Sequence, residues 1–166
     1  MTAETSVVME QENTIGTLSA AQRLRLAFIE FRVWFYGDVA RKHVQERFEV
    51  ATAAGTRDLM LYKQLAPHNV SYEQKHYRYL PTFQPLFHHD PEKVLSALTT
   101  GTTATDTGTN SDILSNAAPK RLNQPDLTTL ATVTRAIHAG QVLALTYLSM
   151  KKGPVPRIIV PHSLVD

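Results

Sequence analysis

The residues of this 166-residue chain that are best placed to do chemistry lie in one stretch, Thr52–Pro67. Read at about 3.6 residues per turn, the stretch predicts a helix with one face for burial and an opposite face of small and polar side chains. A hydroxyl, a guanidinium and an ammonium beside a small residue can contact base edges and phosphates in a DNA major groove. We therefore predict a recognition helix, with the Thr52 hydroxyl as its N-cap. The buried face is expected to carry Gly55, Leu59, Tyr62 and Leu65, and the outer face Ala53, Thr56, Arg57, Met60 and Lys63.

A short helix is predicted directly before this stretch, from about Ala40 to Arg47. Arg41 and Lys42 stand at its start, where backbone N–H groups and a cationic pair suit a phosphate contact. A solvated surface face is the alternative interpretation. The turn Glu49–Ala51 then leads into the recognition helix, and two helices joined by a tight turn predict a helix-turn-helix.

Two short runs of β-forming residues follow the recognition helix and predict a hairpin with a basic tip. Lys75 and His76 lie at the tip, and Arg78 lies just behind it. A hairpin after a recognition helix is typical of a winged helix-turn-helix, in which the wing contacts the DNA backbone or a minor groove. For the tyrosines of the hairpin, packing against the helices is favoured over stacking on bases. The β-formers are Val70, Tyr72, Tyr77 and Tyr79.

An amphipathic helix is predicted before the helix-turn-helix, because Ser19 and Gln22 form a capping box in front of an apolar stripe. Core packing is favoured over a cofactor wall for this stripe. Within the recognition helix, Gly55 is costly and suggests close packing of two helix backbones. Asp58 is expected to pair with an arginine or to cap a backbone group. The stripe is Leu24, Phe28, Phe31 and Phe35.

The C-terminal third of the chain predicts a different kind of unit. A helix is expected from the cap Asp90 to about Leu98, and another from Pro125 to Gly140. Two apolar strands follow, Val142–Leu148 and Arg157–Val160. Because two strands with unpaired edges are marginal by themselves, we expect this unit to be incomplete or to borrow strands from another molecule.

Composition excludes several classes of protein. The formal net charge of +2 is too small to indicate a nucleic-acid partner by itself, although the basic residues crowd the middle of the chain. The chain has no cysteine, no apolar run of membrane-spanning length and no signal peptide, so we expect a cytoplasmic protein without a membrane partner. Paired carboxylates, a nucleophile elbow and a phosphate-binding glycine loop are missing, which argues against an enzyme. His88–Glu92 lacks metal-ligand spacing, so no metal or cofactor is predicted.

The predicted fold class is α+β, and the expected divisions follow from these patterns. The expected segments are a flexible tail at 1–18, a winged helix-turn-helix domain at 19–98, a linker at 99–120 and a second domain beginning at 121 and running to 166.

The order of residues from Leu24 to Asp166 resembles a known family, the bacterial WYL-domain transcriptional regulators, particularly those that control phage-defence islands. Ala40 and Ala51 stand where that family places polar caps. The later stretches resemble the opening of the WYL domain, a small Sm-like β-barrel, whose Trp-Tyr-Leu signature would lie beyond Asp166. The N-terminal resemblance is carried by Val39, Arg41, Val44, Phe48, Thr56–Leu59, Tyr62, Ala66–Pro67, Asn69, Tyr72, Tyr77 and Phe83–Pro85, and the C-terminal one by Arg135–Ile137, Tyr147–Ser149 and Arg157–Val165.

The resemblance implies a homodimeric, sequence-specific double-stranded-DNA-binding repressor, with an incomplete WYL barrel at 121–166 that senses a nucleotide or nucleic-acid effector. Ser149, Arg157 and His162 match the polar positions near the barrel pocket. The alternative is a protein-interaction or dimerisation module, a shortened regulator that modulates a full-length partner. The predicted DNA contacts are Arg41, Lys42, Thr52, Ala53, Thr56, Arg57, Lys63, Lys75, His76 and Arg78.

Overall fold

The computed structural model describes residues 14–101 and 125–165, which form two compact units. Both units mix helices with antiparallel strands, so the α+β class is confirmed. No helix in the described ranges is long and apolar enough to cross a bilayer. The first unit comprises residues 14–33 and 38–88, and the second comprises residues 34–37, 89–101 and 125–165. The first 13 residues of the predicted tail, residues 102–120 of the predicted linker, and residues 121–124 and 166 of the predicted second domain lie outside the described residues.

Helix α1 (Ala20–Phe31) begins as predicted, because the Ser19 hydroxyl accepts a hydrogen bond from the Gln22 backbone N–H at 3.2 Å. Residues 14–17, which the sequence assigned to the flexible tail, form a helical turn. The predicted stripe is wrong at Leu24, which is 40% exposed, whereas Leu26 is fully buried. The second half of α1 is enclosed on several sides, so its apolar residues do not follow one stripe.

The end of α1 continues as a π-helical turn, Arg32–Tyr36, and strand β1 (Asp38–Ala40) follows. This strand was not predicted, because three residues are too few to show an alternating pattern. Helix α2 (Arg41–Phe48) comes next, close to its predicted bounds. Its N-terminus has a contact that was not predicted. Nδ1 of His43, in the first turn, accepts a hydrogen bond from the Ala40 backbone N–H at 3.0 Å.

Neutral His43 is favoured by its surroundings. Burial, and then the positive charge of Arg32, lower the pKa of His43 from 6.5 to about 4. The unprotonated ring nitrogen is therefore available as the acceptor for Ala40 at neutral pH, which keeps the N-terminus of α2 in place.

Helix α3 (Thr52–Leu65) is the predicted recognition helix, and its two faces are as expected. Gly55, Leu59, Tyr62 and Leu65 are buried, and the outer face is exposed apart from the half-buried Thr56. The predicted N-cap is wrong. Ala51 takes the extended cap conformation without a side-chain bond, and Thr52 is already helical, so its hydroxyl instead accepts a bond from Nε2 of Gln45 at 3.0 Å.

The wing consists of β2 (Val70–Glu73), β3 (His76–Tyr79) and the turn between them. Together with β1 it forms an antiparallel sheet in the order β1-β3-β2. The two turn residues, Gln74 and Lys75, have φ values of 49° and 68°. Positive φ values at both residues are typical of the two-residue hairpin turn whose backbone twist matches that of the strands, although Asn and Gly are the residues usually found there.

Two polar contacts hold α3 against α1. The predicted arginine partner of Asp58 is Arg25, whose Nε lies 2.6 Å from Oδ2 of the nearly buried carboxylate. The second contact is the fully buried Glu30 carboxylate, which accepts the Tyr62 hydroxyl at 3.1 Å. Burial and the nearby Glu30 charge raise the pKa of Tyr62 well above its usual 10, so the phenol stays a donor.

The Glu30 carboxylate also organises the segment after the wing. It accepts the backbone N–H groups of Leu86 at 2.8 Å and Phe87 at 2.9 Å. Asn69 extends the network, because its amide donates to the Tyr62 hydroxyl at 3.1 Å and exchanges two bonds with the backbone of Gln84. Both ends of the wing are thus tied to the helices, and the predicted extended segment packs against the core.

In the second unit, α4 (Pro91–Thr100) begins at the predicted cap, Asp90. Helix α5 (Leu127–Ala139) begins two residues after the predicted start at Pro125, with Asp126 as its N-cap. The carboxylate of Asp90 accepts the Lys93 N–H at 3.0 Å, and that of Asp126 accepts the Thr129 N–H at 2.7 Å. Helix α4 runs two residues into the segment predicted as a linker, and α5 ends at Gly140 as expected.

Strands β4 (Leu143–Ser149) and β5 (Gly153–Ile159) form a separate two-stranded sheet. Strand β5 starts earlier than predicted and includes Pro154 and Pro156, which face Leu148 and Thr146. An edge strand tolerates prolines at alternate positions, because the missing N–H groups fall on its unpaired side. No closed barrel is present among the described residues, so the Sm-like barrel is not confirmed.

We expect Gly55→Ala to stabilise the chain. A Cβ at this position would lie 3.5 Å from Cγ of Arg41 and 3.7 Å from Cγ of Gln45, which is ordinary contact distance, so close backbone packing does not require glycine. Removing helical glycine should raise the free energy of unfolding by up to about 1 kcal/mol, measured by urea denaturation. As the control, Gly37→Ala should destabilise, because its φ of +89° disfavours a side chain. A loss of stability in Gly55→Ala would contradict this account.

Tyr62→Phe should cost about 1–3 kcal/mol of unfolding free energy, because it removes one donor from the buried Glu30 carboxylate and one acceptor from Asn69. Tyr72→Phe is the matched control, since Tyr72 is exposed. It should change stability by less than about 0.5 kcal/mol. Equal stability of the two variants in chemical denaturation would show that the buried network contributes little.

Candidate nucleic-acid interface

A groove of about 480 Å³ lies between the helix pair and the wing of the first unit. One side is formed by the first turns of α2 and the middle of α3, and the other side by the wing. Several side chains that the sequence assigned to DNA contact are brought together at this groove, although they come from three separate elements. These residues are Arg41, Lys42, Thr56, Lys75 and His76.

The cations of this surface have no acidic partners among residues 14–101 and 125–165. In contrast, Arg25 forms a salt bridge with Asp58, and Nε of Arg78 lies 3.6 Å from Oε2 of Glu73. Charges that are not compensated by the protein itself remain available for an anionic ligand. The unpaired, exposed cations of the predicted surface are Arg41, Lys42, Arg57, Lys63 and Lys75.

The outer face of α3 is divided between the groove and open solvent. Thr56 lines the groove, and its hydroxyl donates to the Thr52 carbonyl at 2.9 Å, which leaves its oxygen free to accept from a base amino group. Ala53, Arg57 and Lys63 are exposed but do not line the groove. The helix therefore presents a continuous outer strip beside the groove.

The wing tip differs from the prediction in one respect. Lys75 occupies the turn and is exposed, whereas His76 is the first residue of β3. Nδ1 of His76 lies 2.8 Å from Oδ2 of Asp38 in β1, so this side chain holds the wing to the neighbouring strand. Arg78 lies further along β3 and shares its charge with Glu73.

Six residues that line the groove were not among the predicted DNA contacts, namely Ala40, Gln45, Leu59, Tyr72, Gln74 and Tyr77. Gln45 stands one helical turn after Arg41, and this spacing was the available signal. Tyr72 was expected to pack against the helices, as Tyr77 does, but it is 54% exposed against 9% for Tyr77. Their rings lie 4.9 Å apart, so Tyr77 supports Tyr72 from below.

In the second unit, the residues matched to an effector pocket are spread along the hairpin. Ser149 pairs with Gly153 at the turn, and its hydroxyl accepts the Lys152 N–H at 3.3 Å. Arg157 is exposed, with its guanidinium 5.2 Å from the centre of the Tyr147 ring. His162 follows the far end of β5, so the register separates it from Ser149 by the length of the sheet. No group of three histidines and carboxylates suited to a metal occurs in the part of the chain that the structure describes.

Comparison with known proteins adds an independent finding. Residues 21–100 match the model of the BrxR transcriptional regulator winged helix-turn-helix domain. The chain is 28% identical over 154 residues to a DNA-binding transcriptional repressor CapW of Escherichia coli strain KTE188, a match that covers 87% of this chain and 51% of the relative. It is 29% identical to the protein of the same name from Stenotrophomonas maltophilia, over 86% of this chain and 50% of the relative.

The chain thus spans about half the length of the curated relatives that it matches. The matched domain model includes α1, the helix-turn-helix, the wing and α4, and it ends before the two-stranded sheet. Residues 21–100 are therefore similar to a BrxR-type winged helix domain, and most of the chain is similar to part of the DNA-binding transcriptional repressor CapW.

Proposed function

We propose that this chain is a sequence-specific regulator of transcription that binds double-stranded DNA and acts as a repressor in the cytoplasm. The observation that carries the proposal is a set of exposed cations in and beside one groove, which have no acidic partner within residues 14–101 and 125–165. The printed names of the relatives describe DNA-binding transcriptional repressors, which supports the same conclusion.

In the proposed complex, α3 lies in the major groove. Arg57 and Thr56 read base edges, and Ala53 offers a methyl-sized contact to thymine. Thr52 stands at the start of the helix, where its bond to Gln45 fixes the approach of α2. The first two turns of α3 therefore supply specificity.

The remaining cations position the protein on the duplex. Arg41 and Lys42 bind phosphates on one side of the major groove, and Lys63 binds them further along α3. Lys75 reaches the backbone or the adjacent minor groove, with Arg78 behind it and with His76 keeping the wing against β1. Each phosphate contact releases counterions, so binding should weaken as salt rises.

Full specificity is proposed to require a homodimer, because two half-sites about 34–36 Å apart are read by two copies of a helix-turn-helix. We also propose that the second unit belongs to a WYL-type effector region that binds a nucleotide or nucleic acid. Exposed Arg157, placed over Tyr147, is suited to an anionic or aromatic ligand. Ser149 and His162 lie far apart along the hairpin. They could share one small ligand with Arg157 only if a further part of the protein completed the site.

A protein-interaction module is the second candidate function, and one observation favours it. The two-stranded sheet exposes large apolar side chains, with Leu148 at 74% and Ile158 at 77%. Exposed apolar side chains clustered on a sheet are typical of surfaces that another polypeptide covers. A copy of this chain, or a longer regulator, would be the partner.

Arg57→Ala should lower affinity for a selected half-site duplex by about 5- to 150-fold, equivalent to about 1–3 kcal/mol, and should relax sequence preference. The measurement is fluorescence anisotropy with duplexes recovered from a random library. Arg23→Ala is the matched control, since this arginine is exposed but lies on α1, outside the helix pair and the wing, and this variant should have the DNA affinity of the unchanged chain.

Lys42→Ala should preserve sequence preference and reduce the slope of log affinity against log salt by about one. If Arg57→Ala and Lys42→Ala both bind DNA like the unchanged chain, the proposed DNA interface is wrong.

The interaction candidate predicts the opposite response to salt. Self-association through the apolar sheet should hardly change between low and moderate salt, and Ile158→Lys should abolish it without altering DNA binding by the first unit. Sedimentation velocity at the two salt concentrations measures this. A complex that dissociates steeply with salt, or that survives Ile158→Lys, would argue against the sheet as the interface.

A further inference from the structure

We propose that Tyr72 is a DNA-contact residue of the wing, and that its ring and hydroxyl hold one sugar–phosphate strand inside the groove between the wing and helices α2 and α3. The inference rests on the proposed DNA binding and names a residue that charge-based reasoning does not find.

Tyr72 occupies an unusual position on the sheet. It pairs directly with Tyr77, which pairs in turn with Val39, so all three share one face. Val39 is fully buried and Tyr77 is nearly so, but Tyr72 is 54% exposed. This face of the sheet therefore starts in the core and continues past the helices, where the Tyr72 ring becomes a wall of the groove.

The position of the ring is supported by its neighbour. The Tyr77 ring is buried and lies 4.9 Å from that of Tyr72, at an interplanar angle of 53°. A tyrosine side chain has few rotatable bonds, so a supported ring presents a large contact surface at low entropic cost. The Tyr72 hydroxyl has no hydrogen-bond partner within residues 14–101 and 125–165, and it can donate to a phosphate.

The two walls of the groove differ in chemistry. The α2 wall carries Arg41 and Lys42, the wing wall carries the aromatic ring, and Lys75 stands at the tip. Leu59 and Tyr77 contribute apolar surface to the lining. A DNA strand has the complementary arrangement, with anionic phosphate oxygens and apolar deoxyribose faces in alternation. The charged wall and the lysine fit phosphates, and the ring fits a sugar.

The contribution of Tyr72 to DNA affinity can be distinguished experimentally from that of the cations, because the Tyr72 side chain is uncharged. An uncharged contact adds affinity without releasing counterions, so its loss should leave the salt slope unchanged. The hydroxyl and the ring can also be removed one at a time.

The experiment measures affinity for the selected half-site duplex at low and moderate salt, using the full chain. Tyr72→Phe should weaken binding about 3- to 10-fold through the lost hydrogen bond. Tyr72→Ala should weaken it about 10-fold or more, because ring contacts with nucleic acid are worth more than one neutral hydrogen bond. Both variants should keep the salt slope of the unchanged chain.

The control is Leu24→Ala, since Leu24 is an apolar residue that is 40% exposed on α1 of the first unit and does not line the groove. It should bind DNA within about twofold of the unchanged chain. Thermal unfolding of each variant reports any loss of folding, and Tyr72→Phe retains the packing on Tyr77, so it remains informative if Tyr72→Ala unfolds.

The inference is overturned if Tyr72→Phe and Tyr72→Ala are both folded and both bind DNA with the affinity of the unchanged chain, provided that the cation variants respond as expected. Those expected responses are a lower affinity for Arg57→Ala and a smaller salt slope for Lys42→Ala. That pattern would leave the proposed DNA binding intact. Failure of all four substitutions to affect binding would instead remove the proposed function itself. A reduced salt slope in Tyr72→Ala would also contradict the inference, since it would show that the ring acts only by positioning a cation.

Discussion

The fold of the first unit depends on one buried anion. Glu30 is completely enclosed on α1, and its carboxylate accepts bonds from the Tyr62 hydroxyl of α3 and from the backbone of Leu86 and Phe87. An enclosed carboxylate is tolerated only when such donors surround it, so the segments that supply them are constrained together. Helix α3 and the chain beyond the wing are consequently held at fixed positions relative to α1.

Because α3 is held against α1 by its inner face, its outer face is the one that forms part of the proposed DNA surface. The inner face of α3 is committed to the core through Leu59 and Tyr62, and its one buried acid, Asp58, is neutralised by Arg25. Within the described ranges, no acidic side chain is paired with Arg57 or Lys63 on the outer face. The pairs Arg25–Asp58 and His76–Asp38 instead join elements that pack against each other.

Local patterns predicted much of this arrangement. The cap at Ser19, the two faces of α3, the hairpin after it and the cap at Asp90 all follow from spacing within a few residues, and the structure confirms them. The errors arose where distant segments decide the outcome. Leu24 was misplaced because the far end of α1 is enclosed on several sides, and β1 is a strand only because β3 pairs with it.

The sequence by itself determined which face of α3 is apolar, which residues cap the start of α1 and α4, and that α5 ends at Gly140, because side-chain spacing and capping act over one or two helical turns. Only the tertiary structure decided that Gln45 bonds to Thr52, that His76 is held by Asp38 and that Tyr72 opens onto the groove instead of entering the core. Each of these three arrangements depends on how far one helix or strand extends beyond the element that packs against it. That relation is set by the packing of the whole unit, and no local spacing encodes it.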